Sequence, residues 1–283
     1  MIFEPAKNQV SSMNLSAYFN RIDYYGVPKA DVETLRALSR AHVDAIPFDP
    51  LDVQLGAPVT RAPEAAFDKI VSRKRGGWCY EMNGLFAWAL EEIGFDVRRL
   101  AGGVGREFMG DEAIGNHLML IVNLDGPWLV DVGFGDGLTT PVRLKEGEFD
   151  NSAMRCALID LGDGWWRYRN DPRGAAPSYD FNPEVTDEAL LETRCQQLQT
   201  DPQSPFVQNA VVQRWNGDEH LSLRGRVFQR LTADDKEQEL VETADDYVRL
   251  LKERFGLDLP QTASLWPNIC ARHEALFGEQ AAS

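Results

Sequence analysis

The chain has 283 residues, 44 of them acidic and 29 basic, for a net charge of −15 at neutral pH. That excess of carboxylates argues against sequence-independent nucleic-acid binding and against docking on an anionic membrane surface, since both draw on Lys and Arg. With 43% hydrophobic and 26% charged residues, it reads as a globular protein of two or three domains, long enough to bury its core without metals or disulfides.

Residues 1–19 lack the apolar stretch of a signal peptide, and no run is long and apolar enough for a transmembrane helix. The first 95 residues read as helical. Leu35, Leu38, His42 and Val43 recur at helical spacing until Pro47. A second helix is expected to open at Pro63, bury Ala66, Phe67, Ile70 and Val71, and close on Arg73, Lys74 and Arg75 before Gly76-Gly77. A third runs from about Tyr80 to Ile93, with Gly94 as its stop.

From residue 96 the period becomes that of strands. Residues 97–104, 117–124 and 128–132 are short apolar runs, the last two joined through Asp125-Gly126-Pro127 as a hairpin. Further strands are expected around Ala157–Leu161 and Trp165–Arg169. Residues 171–205 carry five prolines and are expected to form a long crossover with few strand signals. Strands and then helices follow from residue 206, with Thr243 and Asp246 as a capping box. The class is therefore α+β, in three parts at 1–95, 96–205 and 206–283.

Four cysteines (Cys79, Cys156, Cys195, Cys270) are scattered with no C-x-x-C pair, which points to a reducing, cytoplasmic setting. Cys79 stands just after Gly76-Gly77 and at the start of an expected helix, where free N–H groups and the helix dipole stabilise a thiolate. The bland alternative is a small buried hydrophobe, and the other three cysteines read that way. A thiolate catalyst needs an imidazole and a carboxylate to orient it. Of the four histidines, His42 reads as core, His220 as an exposed loop or hairpin residue, and His273 as part of an acidic, polar C-terminal helix. His117 opens a strand, and Asp131 lies in the apolar run of the next, where a carboxylate requires a partner.

Residues opposite one another across an antiparallel hairpin have numbers of constant sum. A sum of 248 puts His117 directly opposite Asp131, and a sum of 250 makes them diagonal neighbours on one face. An odd sum separates them. The spacing thus permits a Cys79–His117–Asp131 triad, a structural His–Asp pair being the alternative. The glycine-rich segments 102–105 and 133–137 read as bulges or tight turns rather than phosphate loops, and no metal-ligand spacing occurs. Arg75 is either a solvated helix end or turned inward beneath Cys79.

These residues resemble the arylamine N-acetyltransferase family. RGGWCYEMNGLF is similar to its signature around the nucleophile, at Cys79. GNHLML matches the segment of the catalytic histidine, at His117, and LVDVGFG that of the aspartate, at Asp131. AHVDAIPFDPLDV, DPQSPFVQN and LRGR (223–226) extend the likeness over roughly residues 18–260. The resemblance implies an N-terminal helical bundle, a central β-barrel and a C-terminal α/β lid around a cysteine-protease-like core. It implies a ping-pong N-acetyltransferase of xenobiotic metabolism, with acetyl-CoA as co-substrate, no metal, and an arylamine, hydrazine or N-hydroxyarylamine acceptor. It puts Phe48, Phe134 and Phe206 around the acyl and acceptor pocket, and Asn116, Gly133, Gly135 and Phe206 near CoA. Asp49 is expected to pair with Arg75, and backbone N–H groups near Cys79 and residues 133–135 to form an oxyanion hole. The anionic CoA phosphates then need basic partners such as Arg106 and Arg226.

Two departures stand out. Asp49-Pro50 replaces the family's usual Glu-Asn, and residues 195–200 (CQQLQT), on the acceptor side, differ from the usual aromatic and small polar residues. Macrolactam-forming amide synthases and papain- or transglutaminase-like amidases, using another acyl donor, share this triad chemistry and remain rival readings. A non-enzymatic binding module is a third. A homo-oligomer stays open.

Overall fold

The computed structural model describes residues 13–277, so most of the N-terminal stretch read at residues 1–19 lies outside the described residues. Helix α1 (Leu15–Arg21) is capped by the Asn14 side chain, which accepts from the Ala17 N–H. In α2 (Val32–Ala45) Asp31 caps the Thr34 N–H, and the expected stripe of Leu35, Leu38, His42 and Val43 is buried. The single turn α3 (Leu51–Gln54) has no counterpart in the sequence reading. Helix α4 (Pro63–Phe67) starts on its proline as expected and then widens into a π-helical turn, Asp68–Ser72. It stops there, before Arg73-Lys74-Arg75, because Lys69 and Arg75 are drawn into an ion network described below. Helix α5 (Cys79–Ile93) is buried along nearly its whole length and ends at Gly94, whose φ of 103° favours glycine.

Eight antiparallel strands follow: β1 (Asp96–Val104), β2 (His117–Asn123), β3 (Pro127–Val130), β4 (Val142–Arg143), β5 (Gly147–Asn151), β6 (Met154–Gly162), β7 (Trp165–Arg169) and β8 (Ser178–Phe181). A short helix α6 (Arg106–Met109) sits between β1 and β2. The strand order is β4-β3-β2-β1-β8-β7-β6-β5. Strand β1 pairs with β2 along residues 96–102 but with β8 only at Gly103 and Val104, so two four-stranded halves meet at its end. Strands β4 and β5 are left as edges. The sheet is a curled half-barrel in the place where the resemblance implies a β-barrel. Gly102 and Gly103 lie within β1 rather than in a turn. A Cβ on Gly102 would sit 2.2 Å from Met119 Cε across the ladder, so close approach explains the glycine there.

The proline-rich crossover contains a regular helix, α7 (Glu188–Thr200), contrary to expectation. Its prolines flank it, Asp187 caps it, and only Leu191 and Cys195 are buried, so no apolar stripe announces it. After the short α8 (Pro205–Gln208) comes a second antiparallel sheet of β9 (Val211–Asn216), β10 (Glu219–Arg224), β11 (Val227–Leu231) and β12 (Lys236–Leu240), then α9 (Ala244–Phe255) and α10 (Trp266–Phe277). Thr243 caps α9: its hydroxyl accepts from the Asp246 N–H at 3.1 Å and donates to the Asp246 carboxylate at 2.7 Å.

One hydrophobic core joins the helices to the large sheet, and a second lies between β9–β11 and α9–α10. Residue 48 connects them. The Phe48 N–H donates to Gln213 O at 2.8 Å and Gln213 N–H to Phe48 O at 3.1 Å, while Asp49 N–H donates to Gly77 O at 2.9 Å. Strand β9 is thereby fixed against the turn that precedes Cys79. No helix among the described residues is long and apolar enough to cross a membrane.

Candidate active site

Cys79 is the first residue of α5 and only 3% exposed. The Glu81 carboxylate caps the helix by accepting the Trp78 N–H at 3.2 Å, which fixes the backbone on either side of the sulfur. The N–H groups of Cys79 and Tyr80, in the first turn, have no intrahelical acceptor, so the site presents donors and the positive end of the helix dipole.

The hairpin register runs Leu120↔Val130 to Asn123↔Pro127, a sum of 250. His117 and Asp131 are therefore diagonal on one face. The His117 Nε2–H donates to Asp131 Oδ2 at 2.7 Å. The other ring nitrogen is not used by Asp131, and the Cys79 side chain is among the groups whose influence raises the ring's pKa. Burial on its own would lower the His117 pKa. The charge and hydrogen bond of Asp131, then the Cys79 side chain, outweigh it and push the pKa up to about 10.

Asp131 is held from its second oxygen. Asn83 Nδ2 donates to Oδ1 at 2.8 Å and the Gly133 N–H at 3.0 Å. The same Asn83 amide donates to Leu118 O at 2.7 Å and accepts from the Val132 N–H at 3.0 Å, so one side chain ties α5 to β2 and to the segment that follows β3. Asn83 stands within the signature that the sequence presents, yet nothing local marks its role. The Gly133 N–H is committed to Asp131, which removes it from the expected oxyanion hole and leaves the first turn of α5 as the donor set.

Gly133 packs on Cys79: a Cβ there would be 2.7 Å from Cys79 Cα. Gly135 has φ 89°, and a Cβ would meet Gln213 Nε2 at 2.6 Å, so neither position admits a side chain. Phe134 between them lies edge-on to His117, ring centroids 5.2 Å apart. Phe206 lies 5.4 Å from Trp78 and 6.3 Å from Phe48. Phe134 thus touches the triad's histidine, while Phe48 and Phe206 cluster with Trp78, the residue that precedes Cys79. Asn116 is placed differently from expectation. Both ends of its amide are used on Val104, accepting from its N–H at 2.8 Å and donating to its carbonyl at 3.1 Å, so it holds β1.

Beneath the nucleophile, Arg75 Nε donates to Asp49 Oδ2 at 2.9 Å and Nη2 to Asp52 Oδ1 at 2.9 Å. Lys69 bridges Asp52 Oδ2 at 2.9 Å and Glu81 Oε2 at 2.8 Å. The expected Asp49–Arg75 pair is thus part of a larger network reaching the carboxylate that caps α5. Burial opposes the charge on Lys69 and Arg75, and the surrounding carboxylates restore it, raising both. The signal that sequence reading passed over is the pair Asp52 and Lys69, separated by 17 residues and brought together by the π turn.

Two expectations are corrected. His220 is not exposed: it is buried on β10 against Trp215, ring centroids 4.9 Å apart, because β10 faces the second core and the 133–137 turn. Burial holds it down to about 4, with the Gly135 backbone opposing. His273 is on α10 as read, but that helix carries a single acidic residue and exposes Leu276 and Phe277, so it is not acidic. Arg106 and Arg226 are not free for a ligand's phosphates either. Arg106 bonds Asp111 at 2.8 Å and stacks over Trp165, and Arg226 donates to Val241 O at 3.0 Å and lies over Trp266.

A model of the N-acetyltransferase family matches residues 31–264. The arylamine N-acetyltransferase of Mycolicibacterium smegmatis is 36% identical over 260 residues, covering 89% of this chain and 94% of that protein. The liver isozyme of arylamine N-acetyltransferase from Gallus gallus is 30% identical over 279 residues, covering 87% and 96%. Among solved structures, the arylamine N-acetyltransferase of Mycobacterium marinum in complex with CoA superposes with a TM-score of 0.81 at 33% identity, covering 92% of this chain and 98% of that one.

Proposed function

The chain belongs to the arylamine N-acetyltransferase family, and we propose that it moves an acetyl group from acetyl-CoA to an arylamine, hydrazine or N-hydroxyarylamine through an acetyl-Cys79 thioester. The observation that carries the mechanism is the line of Cys79, His117 and Asp131, closed by the 2.7 Å His117–Asp131 bond at the head of α5. The Cys79 sulfur attacks the thioester carbonyl carbon, and the developing oxyanion faces the first-turn N–H groups of α5. The bond to the CoA sulfur then breaks, and that sulfur takes the proton held by His117. Exchange between two thioesters costs little free energy.

In the second half the amine nitrogen attacks the acetyl carbon. His117 takes the amine proton, and Cys79 leaves as the thiolate. Formation of an amide from a thioester drives this half forward. The near-complete burial of Cys79 favours an amine over water as the acceptor, against an amidase, because the thioester is shielded between the halves. The ring faces of Phe48, Trp78, Phe134 and Phe206 support a flat aromatic acceptor.

Incubation with acetyl-CoA, intact mass measurement and peptide mapping test this directly. One acetyl group is expected on Cys79, and none on Cys156, Cys195 or Cys270. Cys79→Ala is expected to abolish turnover, and full activity in that variant would refute the mechanism.

A further inference from the structure

Helix α8 is a single turn, Pro205–Gln208, too short to hold itself. Ser204 caps its start, accepting from the Phe206 N–H at 3.3 Å and donating to Leu198 O. Its last carbonyls need donors from outside the helix, as at any helix end. The side chain of Gln54, on α3, supplies them: Nε2 donates to Phe206 O and to Val207 O, both at 2.6 Å. Two facing carbonyls admit only the nitrogen end of the amide.

Both ends of this contact lead to the active site. On one side, α3 grows out of the ion network beneath Cys79. The Asp49 carboxylate accepts from the Leu51 N–H at 3.1 Å, and Asp52 pairs with Lys69 and Arg75. On the other side, the Phe206 ring meets Trp78, the residue before Cys79, at 5.4 Å and 82°, with Phe48 at 6.3 Å. Phe48 and Trp78 are fixed by the backbone bonds between residues 47–49 and Gly77. Phe206 stands on a separate short element, and Gln54 joins that element to the same frame.

We infer that Gln54 is a positioning residue: it seats Phe206 against Trp78 and so sets how tightly an aromatic acceptor is held. The inference rests on the proposed function, in which the acceptor's ring lies against this cluster. Without the amide, Phe206 O and Val207 O are left part-buried and unpaired. Helix α8 then has to turn toward water to satisfy them, carrying the ring with it. An acceptor with a ring loses its fit, and one without a ring loses nothing.

Gln54 also borders the cavity between α8, α10 and the second sheet, so the test uses 4-nitrophenyl acetate, an acyl donor with no large carrier. Cys79 is acetylated with it, and decay of the acetyl-enzyme is followed against rising aniline and, separately, hydrazine. Gln54→Glu keeps the shape of the side chain but turns a carboxylate on the two carbonyls. It is expected to raise the half-saturating aniline concentration by about fivefold or more, with the limiting rate within about twofold and the hydrazine rates unchanged. Phe206→Leu is expected to raise the same constant. Adding Gln54→Glu to it is expected to raise the constant by less than in the parent, because both act through one ring. Circular dichroism and the rate of Cys79 acetylation verify folding. If Gln54→Glu does not fold, Gln54→Asn takes its place, since its stem is too short to reach both carbonyls. An unchanged aniline constant, an equal loss with hydrazine, or strict additivity with Phe206→Leu would overturn the role of Gln54 and leave acetyl transfer through Cys79 standing. A parent protein whose Cys79 takes no acetyl group, or whose acetyl-Cys79 is not discharged by aniline, would overturn the proposed function and this inference with it.

Discussion

The His117 ring is almost wholly buried, which on its own would keep it neutral, and the Asp131 carboxylate at 2.7 Å reverses that, holding the pKa up to about 10. The ring is then an imidazolium at neutral pH, and a cation beside a cysteine sulfur favours its thiolate form. Alkylation of Cys79 by iodoacetamide is therefore expected to stay fast from about pH 8 down to about pH 6, where an ordinary thiol of pKa about 8.5 slows steadily. Asp131→Asn is expected to remove most of that low-pH reactivity, since an amide does not stabilise the imidazolium. A steady fall across that range in the parent protein would show a neutral thiol activated by general base instead. At this scale the positions of Cys79, His117 and Asp131 were legible: a cysteine after two glycines at a helix start, and a His–Asp pair whose register needed only an even sum. Asn83 was not, because its partners Leu118 and Asp131 are 35 and 48 residues away. His220 was misplaced for the same kind of reason, since strand alternation marks two faces without saying which of them another element covers.

The element that most shapes the site is the stretch from α4 to α5. Helical periodicity gave its start at Pro63 and its buried face, but it extended the helix to Arg75. The π turn at Asp68–Ser72 ends it early and aims Lys69 inward, with Lys74 at φ 54° reversing the chain. Gly76 follows where a Cβ would lie 2.1 Å from Pro47 O, so the chain passes directly beneath the strand-like segment of residue 48. Arg75 is thereby placed between Asp49 and Asp52. Removing one partner of a buried ion network leaves the other charges uncompensated, typically about 3–5 kcal/mol. Arg75→Ala is expected to lose stability of that order in urea unfolding, and to lose rate as well because Asp52, Lys69 and Glu81 share the network that caps α5. An Arg75→Ala protein that unfolds like the parent would mean that the network relaxes without strain. Ion networks of this kind are hidden from sequence reading because surface and buried charge runs look alike until the backbone turns.

For the whole molecule, net charge described the composition and not the site: carboxylates dominate the chain, while the network beneath Cys79 is built around Lys69 and Arg75. The class and the chain order of the parts were legible from the change of period at residue 96, whereas the β1–β8 junction spans more than seventy residues and the attachment of β9 to Phe48 more than a hundred and sixty. The same long-range packing buries two histidines as neutral rings, His42 held down to about 3 and His220 to about 4, chiefly by burial. Their pKa values lie below the unfolded value of about 6.5, so their contribution to stability is present above that pH and is lost as the pH falls toward 4. Asp136 works in the opposite sense. Burial raises it to about 6, so it favours the fold below its unfolded pKa and loses that contribution as the pH rises through 6. Between about pH 6 and about pH 4.5 the unfolded chain thus binds two extra protons at the histidines and the folded chain one at Asp136. The net of one proton makes stability fall by about 1.4 kcal/mol per pH unit on acidification. Replacing His220 by Phe keeps a ring against Trp215 and removes one of the two titrating groups. His220→Phe is expected to flatten the acid limb by about 1.4 kcal/mol per pH unit, read from urea unfolding at several pH values. An acid limb of unchanged slope would mean that His220 is solvated and protonated in the folded protein.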